Sequence, residues 1–562
     1  MRQLSTMAAL AAVALAPLAA PAPAEACGGF FCGQQPVDQQ AERILFAIDE
    51  AAGTTDMIVQ IAYEGDADDF AWIVPLGQAP FDGSLDADFP QGALTALDAN
   101  TSPQLWPNGG CFFLEADAGA GPPSGGRDDD GVTIIIEETV GPYDVVVLES
   151  EDPQRLVQWL RDNEFRVTDP MTPYIQEYTL DPGTDFKFLA LKLTSGADTK
   201  DITPFKMTLP GTAPVVPLKM TALAAEPEMG IVVFILGGQR YEPANWESLE
   251  VPDDYIVWDF DRWTSNWPAA VARVVDESVT ELGVPGFVTE LATSTDTYLS
   301  LLMNTTPADE EQAAAVEALL EVMEGKQYIT RLYSRLSAEE MLSDPLFRRS
   351  AGPDVERWRE VMLPEIDEED CFGGDAGPEA ASPCAFIACG ALGTCAEADV
   401  DGTTVAACAC AAGATARTTF GPNGEVTVAC QDQRMSFLNP GDVEIPGATP
   451  LSDPCVGFDC GFGTCVPMNM TPTCACDRGF VAVGSLVDGA RSTRCVAPVE
   501  PVPTTFYQAT VLPPRPTNLP AGRTVELPDA PSVGGAGGCS AAAGAGGLMP
   551  LLLLLAARRR RS

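Results

Sequence analysis

Histidine is absent from all 562 residues. Without an imidazole the chain cannot assemble a Ser-His-Asp or Cys-His nucleophile, an H-E-x-x-H zinc site or a histidine pH switch. The motifs G-x-S-x-G, S-x-x-K and G-x-x-x-x-G-K-[ST] are missing too, so those routes to acyl transfer and phosphate binding are closed. Lysine is nearly absent, occurring only at Lys187, Lys192, Lys200, Lys206, Lys219 and Lys326. With 32 Lys+Arg against 80 Asp+Glu, the formal net charge is −48. That balance excludes nucleic acid as a partner, because phosphate contacts need clustered basic residues. Carboxylate-only chemistry survives, since a glycosidase needs just two acids, but the composition singles out no pair. No catalytic residue, metal ligand or cofactor is nominated.

Cysteine, by contrast, is abundant and ordered. Twelve of the 17 cysteines fall between residues 384 and 495, in two sixes of similar rhythm. The first six are Cys384, Cys389, Cys395, Cys408, Cys410 and Cys430; the second are Cys455, Cys460, Cys465, Cys474, Cys476 and Cys495. Such density in short segments marks a disulfide framework and an oxidising compartment. Zinc is disfavoured by the lack of histidine. Residues 1–26 read as a signal peptide: Arg2, a short apolar run over 7–18, and Ala24-Glu25-Ala26 before Cys27.

A chain of this length needs several domains. Residues 27–370 read as a β-rich α+β domain. Candidate strands cover 42–48, 57–63, 70–74, 132–138, 143–148, 186–193, 205–209, 215–223 and 231–236, spaced as in a sheet or sandwich. Asp152-Pro153 and Thr306-Pro307 are helix starts, and Ser337 with Glu340 forms a capping box before Met341-Leu342. Beyond lie a linker over 371–383, a cysteine module over 384–430, a second linker over 431–454 and a second module over 455–495. The Pro-rich linker makes the modules two beads on a flexible string. A Pro-rich stalk follows over 496–538 and a tail over 539–562.

Several local features invite a functional reading. Trp246, Tyr255, Trp258, Phe260, Trp263 and Trp267 crowd one short span and form a candidate ligand platform for sugar faces, or core. Five of the six lysines lie over 187–219 and read as a solvated sheet face, with a basic stripe that meets an acidic partner or pairs within the protein as the alternative. Asp128-Asp129-Asp130-Gly131 and the acidic run 365–370 read as solvated loops, since neither has the spacing of a calcium loop. Cys27, Cys32, Cys111 and Cys371 allow three pairings, of which Cys27 with Cys32 and Cys111 with Cys371 is preferred.

Three resemblances add to this. Cys27-Gly28-Gly29-Phe30-Phe31-Cys32, the run Pro36 to Ile44, Phe70-Ala71-Trp72-Ile73-Val74-Pro75, Leu156-Val157-Gln158-Trp159-Leu160 and the run Arg331 to Ser337 resemble a secreted bacterial family known as domain of unknown function 2330. That likeness implies export and a shared fold, and no activity. The two sixes, with Gly393-Thr394-Cys395, Gly463-Thr464-Cys465 and Cys476-Asp477-Arg478-Gly479-Phe480, resemble tandem epidermal-growth-factor-like modules. This resemblance implies bridges of Cys384 with Cys395, Cys389 with Cys408, Cys410 with Cys430, Cys455 with Cys465, Cys460 with Cys474 and Cys476 with Cys495. Gly538-Cys539, an apolar segment and Arg558-Arg559-Arg560-Arg561 resemble the myxobacterial C-terminal sorting signal. It implies processing and lipid attachment at Cys539; a transmembrane tail anchor is the alternative.

Together these features point to a protein held at the cell surface or outer membrane by its tail. The expected role is binding or adhesion toward an extracellular protein or glycan. A carboxylate-dependent glycan hydrolase and a non-catalytic structural envelope protein are the alternatives.

Overall fold

The computed structural model describes residues 39–509 apart from 61–70, 108–132, 181–185, 195–201, 260–263, 305–306, 362–381, 422–424, 442–451, 504–505 and positions 151, 164, 166 and 488. Cys27, Cys32, Cys111, Cys371, Cys539, both acidic loops, the stalk beyond residue 509 and the tail lie outside the described residues; the start of the stalk instead packs on the cysteine-rich region, with Val502 buried beside Phe506 and Tyr507. Among the described residues no helix is long and apolar enough to cross a membrane.

The large domain is β-rich, with helices between its strands. Its main sheet is seven-stranded and mixed, in the order Glu247–Leu249, Gly286–Ser294, Tyr328–Leu336, Ala225–Gly237, Gln39–Asp49, Thr54–Gln60, Phe205–Pro210. The central strand Ala225–Gly237 pairs parallel with Gln39–Asp49 and antiparallel with Tyr328–Leu336. It is buried along its whole length, as a strand covered on both faces must be. A second, antiparallel sheet runs Ala71–Leu76, Lys187–Leu193, Tyr143–Glu149, Thr133–Val140. One apolar core joins the two, with Tyr143 edge-on to Phe205 at 5.7 Å.

The helices follow local chemistry with two exceptions. Asp152 caps Pro153–Asp162 by accepting from the Gln154 and Arg155 amides, and Leu156, Trp159 and Leu160 face the core. The second predicted start moves from Thr306 to Asp309, whose carboxylate accepts from the Gln312 amide at 2.8 Å and caps Glu310–Met323. The Ser337–Glu340 capping box forms but supports only the 3-10 turn Ala338–Glu340. The predicted strand over 215–223 is instead a helical turn, Leu218–Thr221, and Val215 keeps only an isolated bridge to Leu346. Pro214 and Pro217 remove ladder donors from that stretch.

Burial of Glu42 gives the sheet a pH dependence. Glu42 is 5% exposed, and desolvation pushes its carboxyl up to about 7. The folded value exceeds the unfolded one of about 4.5. Its contribution is therefore complete below pH 4.5 and lost as pH rises through 7. Glu42→Gln should raise the melting temperature at pH 8.5, an effect of about 3 kcal/mol, and change little at pH 4.5. An equal shift at both pH values would refute this.

The cysteine-rich region folds as four-stranded sheets shared between the two sixes. Bridges join Cys384–Cys395, Cys389–Cys408, Cys410–Cys430, Cys455–Cys465, Cys460–Cys474 and Cys476–Cys495. Such small cores depend on these cross-links. The hairpin Gly393–Val400 with Thr403–Cys410 joins Val481–Val487 and Ala490–Val496 through Cys408 and Ala482. The hairpin Ala414–Phe420 with Val426–Asp432 joins Gly463–Met468 and Thr471–Cys476 through Ala416 and Cys474. At Gly484 an added Cβ would lie 2.6 Å from the Thr427 carbonyl, so only glycine permits this approach. Two beads on a string is therefore corrected to one joined pair. The start of the intervening linker is equally fixed: Met435 and Phe437 belong to the large domain's core, and Phe437 meets Tyr174 edge-on at 5.3 Å.

Candidate functional site

Among the described aromatics of the span over 246–267, Trp246 and Trp267 are buried and Tyr255 and Trp258 half-buried. Trp246 is buried against Phe287 and donates to Ser343 Oγ at 2.8 Å. Trp267 is buried and donates through Nε1 to Glu290 Oε1 at 2.6 Å. Tyr255 is half-buried, donates to the Glu277 carboxylate and lies under Arg273. Trp258 is half-buried in a short antiparallel bridge, while Phe260 and Trp263 fall outside the described residues. An exposed tryptophan lies elsewhere: Trp358, 55% exposed, stacks on Trp106 at 6.3 Å. Two lone tryptophans far apart in sequence gave no clustering signal.

Among the described residues the lysines over 187–219 do not form a solvated face; they are engaged within the protein. Lys187 pairs with Glu149, Lys206 with Asp56 and Lys219 with Glu177. Lys192 donates to the Asn163 carbonyl and lies over Phe165, and Lys200 is outside the described residues. An open cleft of about 1080 Å³ is rimmed by Asp296, Glu317, Glu321, Glu324 and Lys326.

The densest chemistry sits where the central strand meets the cysteine-rich region. The ladder to the neighbouring strand passes from the pair Gln39–Ala225 directly to Ala41–Gly230. Glu226, Pro227, Glu228 and Met229 thus bulge opposite one residue, and bulges re-aim side chains. Glu228 adopts φ +60, a left-handed conformation costing about 1 kcal/mol or more for a side chain of this kind. Its amide donates to Ser337 Oγ, and Ser337 Oγ donates to Glu228 Oε1, both at 3.1 Å. The Ser337 amide donates to Glu340 Oε2 at 2.7 Å. Asp276, half-buried on the helix Trp267–Leu282, completes a triangle with Glu228 and Glu340, its ligand oxygens all within 4.8 Å of one another.

Desolvation by burial pushes all three carboxyls above their usual range, and the carboxylates press on one another for Asp276 and Glu340. Neighbouring Glu339 is pushed up to about 8, chiefly by burial. Two residues back, Glu226 accepts from Arg417 Nη2 at 3.5 Å and from Arg491 Nη1. Arg417 belongs to the first cysteine module and Arg491 to the second. One bulge thus presents one carboxylate to both modules and another to a buried acidic triangle. The sequence could have signalled this: Glu226-Pro227-Glu228 interrupts an otherwise apolar run.

A family model described as "Uncharacterized protein conserved in bacteria (DUF2330)" matches residues 21–348, more than half of the chain. No curated protein matches it. A solved structure, a mutated baculovirus P35 after caspase cleavage, is similar at 9% identity over 36% of this chain and 69% of that one. Its TM-score of 0.22 is too low to carry an argument.

Proposed function

The chain belongs to the bacterial family of uncharacterized proteins DUF2330, and from that premise we propose an exported, surface-held binding protein of the adhesion type. Six disulfides require an oxidising compartment for folding. The signal-like start and the tail with Cys539 and four arginines support export and attachment to the envelope. The two sixes are proposed as a fused pair of epidermal-growth-factor-like modules, the second making the contact.

One observation carries this assignment. Of ten exposed large hydrophobic residues among the described residues, five lie within 455–499: Val456, Phe462, Leu486, Val487 and Val499. Val456 is 83% exposed, and Phe462, at 56%, stacks on Phe480 at 4.3 Å. Apolar side chains concentrated on a small domain mark an interaction surface, and apolar and aromatic residues favour a protein partner. Phe462→Ser in the full chain should weaken binding of the labelled protein to intact bacterial cells by about ten-fold, with an unchanged melting temperature. Undiminished binding would overturn the assignment.

A second reading rests on the exposed Trp358–Trp106 pair, flanked by Arg357 at 4.9 Å from the Trp358 ring. A flat aromatic pair suits glycan contact. It predicts loss of cell binding in Trp358→Ala instead. The hydrolase alternative gains no support here, since Trp246 and Trp267 of its sugar platform are buried.

A further inference from the structure

We propose that Glu228, Asp276 and Glu340 bind a hard divalent cation of the calcium class at the seam between the large domain and the first cysteine module. This goes beyond the adhesion assignment and stands independently of it.

The first argument is size. Ligand oxygens from the three carboxylates lie within 4.8 Å of one another. Oxygens sharing one calcium at 2.3–2.6 Å cannot stand farther apart than about 5 Å. The triangle therefore fits one ion.

The second is unmet coordination. Glu228 and Glu340 are 3% and 1% exposed, and each is fixed through one oxygen by Ser337. The other oxygen of Glu228, Oε2, is buried with no hydrogen-bond partner, and the Glu340 carboxyl stands within hydrogen-bonding reach of that of Asp276. Leaving a buried carboxylate oxygen unsatisfied is costly, and a cation meets that need without a donor. Arg335 is the guanidinium acting on Glu228. One positive charge against three carboxylates leaves a deficit that a divalent ion offsets.

The donor chemistry narrows the class. All three ligands are oxygens, which suits hard cations over zinc or copper. Three carboxylates from a strand, a 3-10 turn and a helix make an irregular shell, which calcium tolerates, whereas magnesium demands a near-ideal octahedron.

The position gives the ion a task. At Gly390, φ +77, an added Cβ would lie 3.2 Å from Glu228 Oε1, 3.5 Å from Ser337 Oγ and 3.2 Å from the Cys430 carbonyl. The module's backbone closes directly on Glu228 and Ser337. An ion drawing the triangle together fixes the ledge on which that backbone rests.

The test uses the full chain with its disulfides intact, treated with chelator and titrated with calcium chloride at pH 7.5. Calcium should raise the melting temperature in a saturable way. Asp276→Asn, at the half-buried ligand, should weaken apparent affinity at least ten-fold, as should Glu340→Gln. Terbium luminescence of the folded Asp276→Asn variant separates lost binding from lost structure. No response to calcium, magnesium or manganese in the unmodified chain would overturn the proposal and leave protons as what these carboxyls hold. An undiminished response in folded Asp276→Asn would also overturn it, placing binding at other acidic residues.

Discussion

Arg331→Met is expected to destabilise the large domain by about 3–5 kcal/mol. Arg331 is 4% exposed at the middle of the main sheet. Its Nε donates to Glu290 Oε2 and its Nη1 to Asp98 Oδ1. Asp98 Oδ2 also accepts from Arg43 Nε at 2.7 Å, and Glu290 Oε1 accepts from Trp267. One guanidinium thus satisfies carboxylates from a helix and a strand, and through them positions a second helix. Methionine fills comparable volume but leaves the buried Glu290 and the half-buried Asp98 without that charge, the costly way to break such a network. Arg331→Lys should rescue little, because a point charge cannot serve both carboxylates as a planar fork does.

The pH dependence of this defect is a second readout. Burial alone would raise Asp98, but Arg331 and Arg43 more than offset it and hold its carboxyl below the usual range. Its stabilisation is present above the unfolded-state value and lost as pH falls through the folded one. Without Arg331 that contribution shrinks, so variant and parent should converge in urea melts as pH falls below about 4. A loss under 1 kcal/mol at pH 7, or a gap independent of pH, would contradict this account.

The same network shows what the sequence concealed. Trp267 was visible as one of a crowd of aromatics, a pattern shared by sugar platforms and cores. Glu290 as its hydrogen-bond partner decides for the core, and Glu290 lies 23 residues away on another strand. By contrast, Asp152-Pro153 was legible because a helix cap is satisfied within its own first turn. The β-rich class and the disulfide-rich modules were legible for a similar reason, being written in local alternation and spacing.

Tertiary partners account for the rest. The apolar run 231–236 was readable as a strand, but its extension back to Ala225 passes through two glutamates that an apolar pattern rejects. They are buried because arginines and a serine from distant segments meet them. The Pro-rich linker likewise read as free chain, since nothing local announces that Phe437 enters a remote core. Composition indicates how a segment behaves alone, and contact decides how it behaves folded.

Glu226→Gln should therefore release the joined modules while leaving each folded. Glu226 is 1% exposed and receives both Arg417 and Arg491. Burial, together with the charge of Arg491, draws the Arg417 guanidinium down to about 9. Even so it remains charged at neutral pH, and two like charges converge on one carboxylate. Neutralising Glu226 keeps its size, removes the opposing charge and leaves mutual repulsion, a loss of about 3–5 kcal/mol from docking. Disulfides hold the modules themselves, so non-reducing limited proteolysis should yield an intact cysteine-rich fragment much faster than from the parent. The double variant Glu226→Gln/Arg417→Met should recover much of the loss, because coupled partners are not additive. If docking also depends on the neighbouring carboxylate triangle, calcium should slow that proteolysis in Glu226→Gln but not in Glu226→Gln/Asp276→Asn. Parent-like cleavage of Glu226→Gln would show that apolar packing alone, through Met435 and Phe437, holds the modules in place.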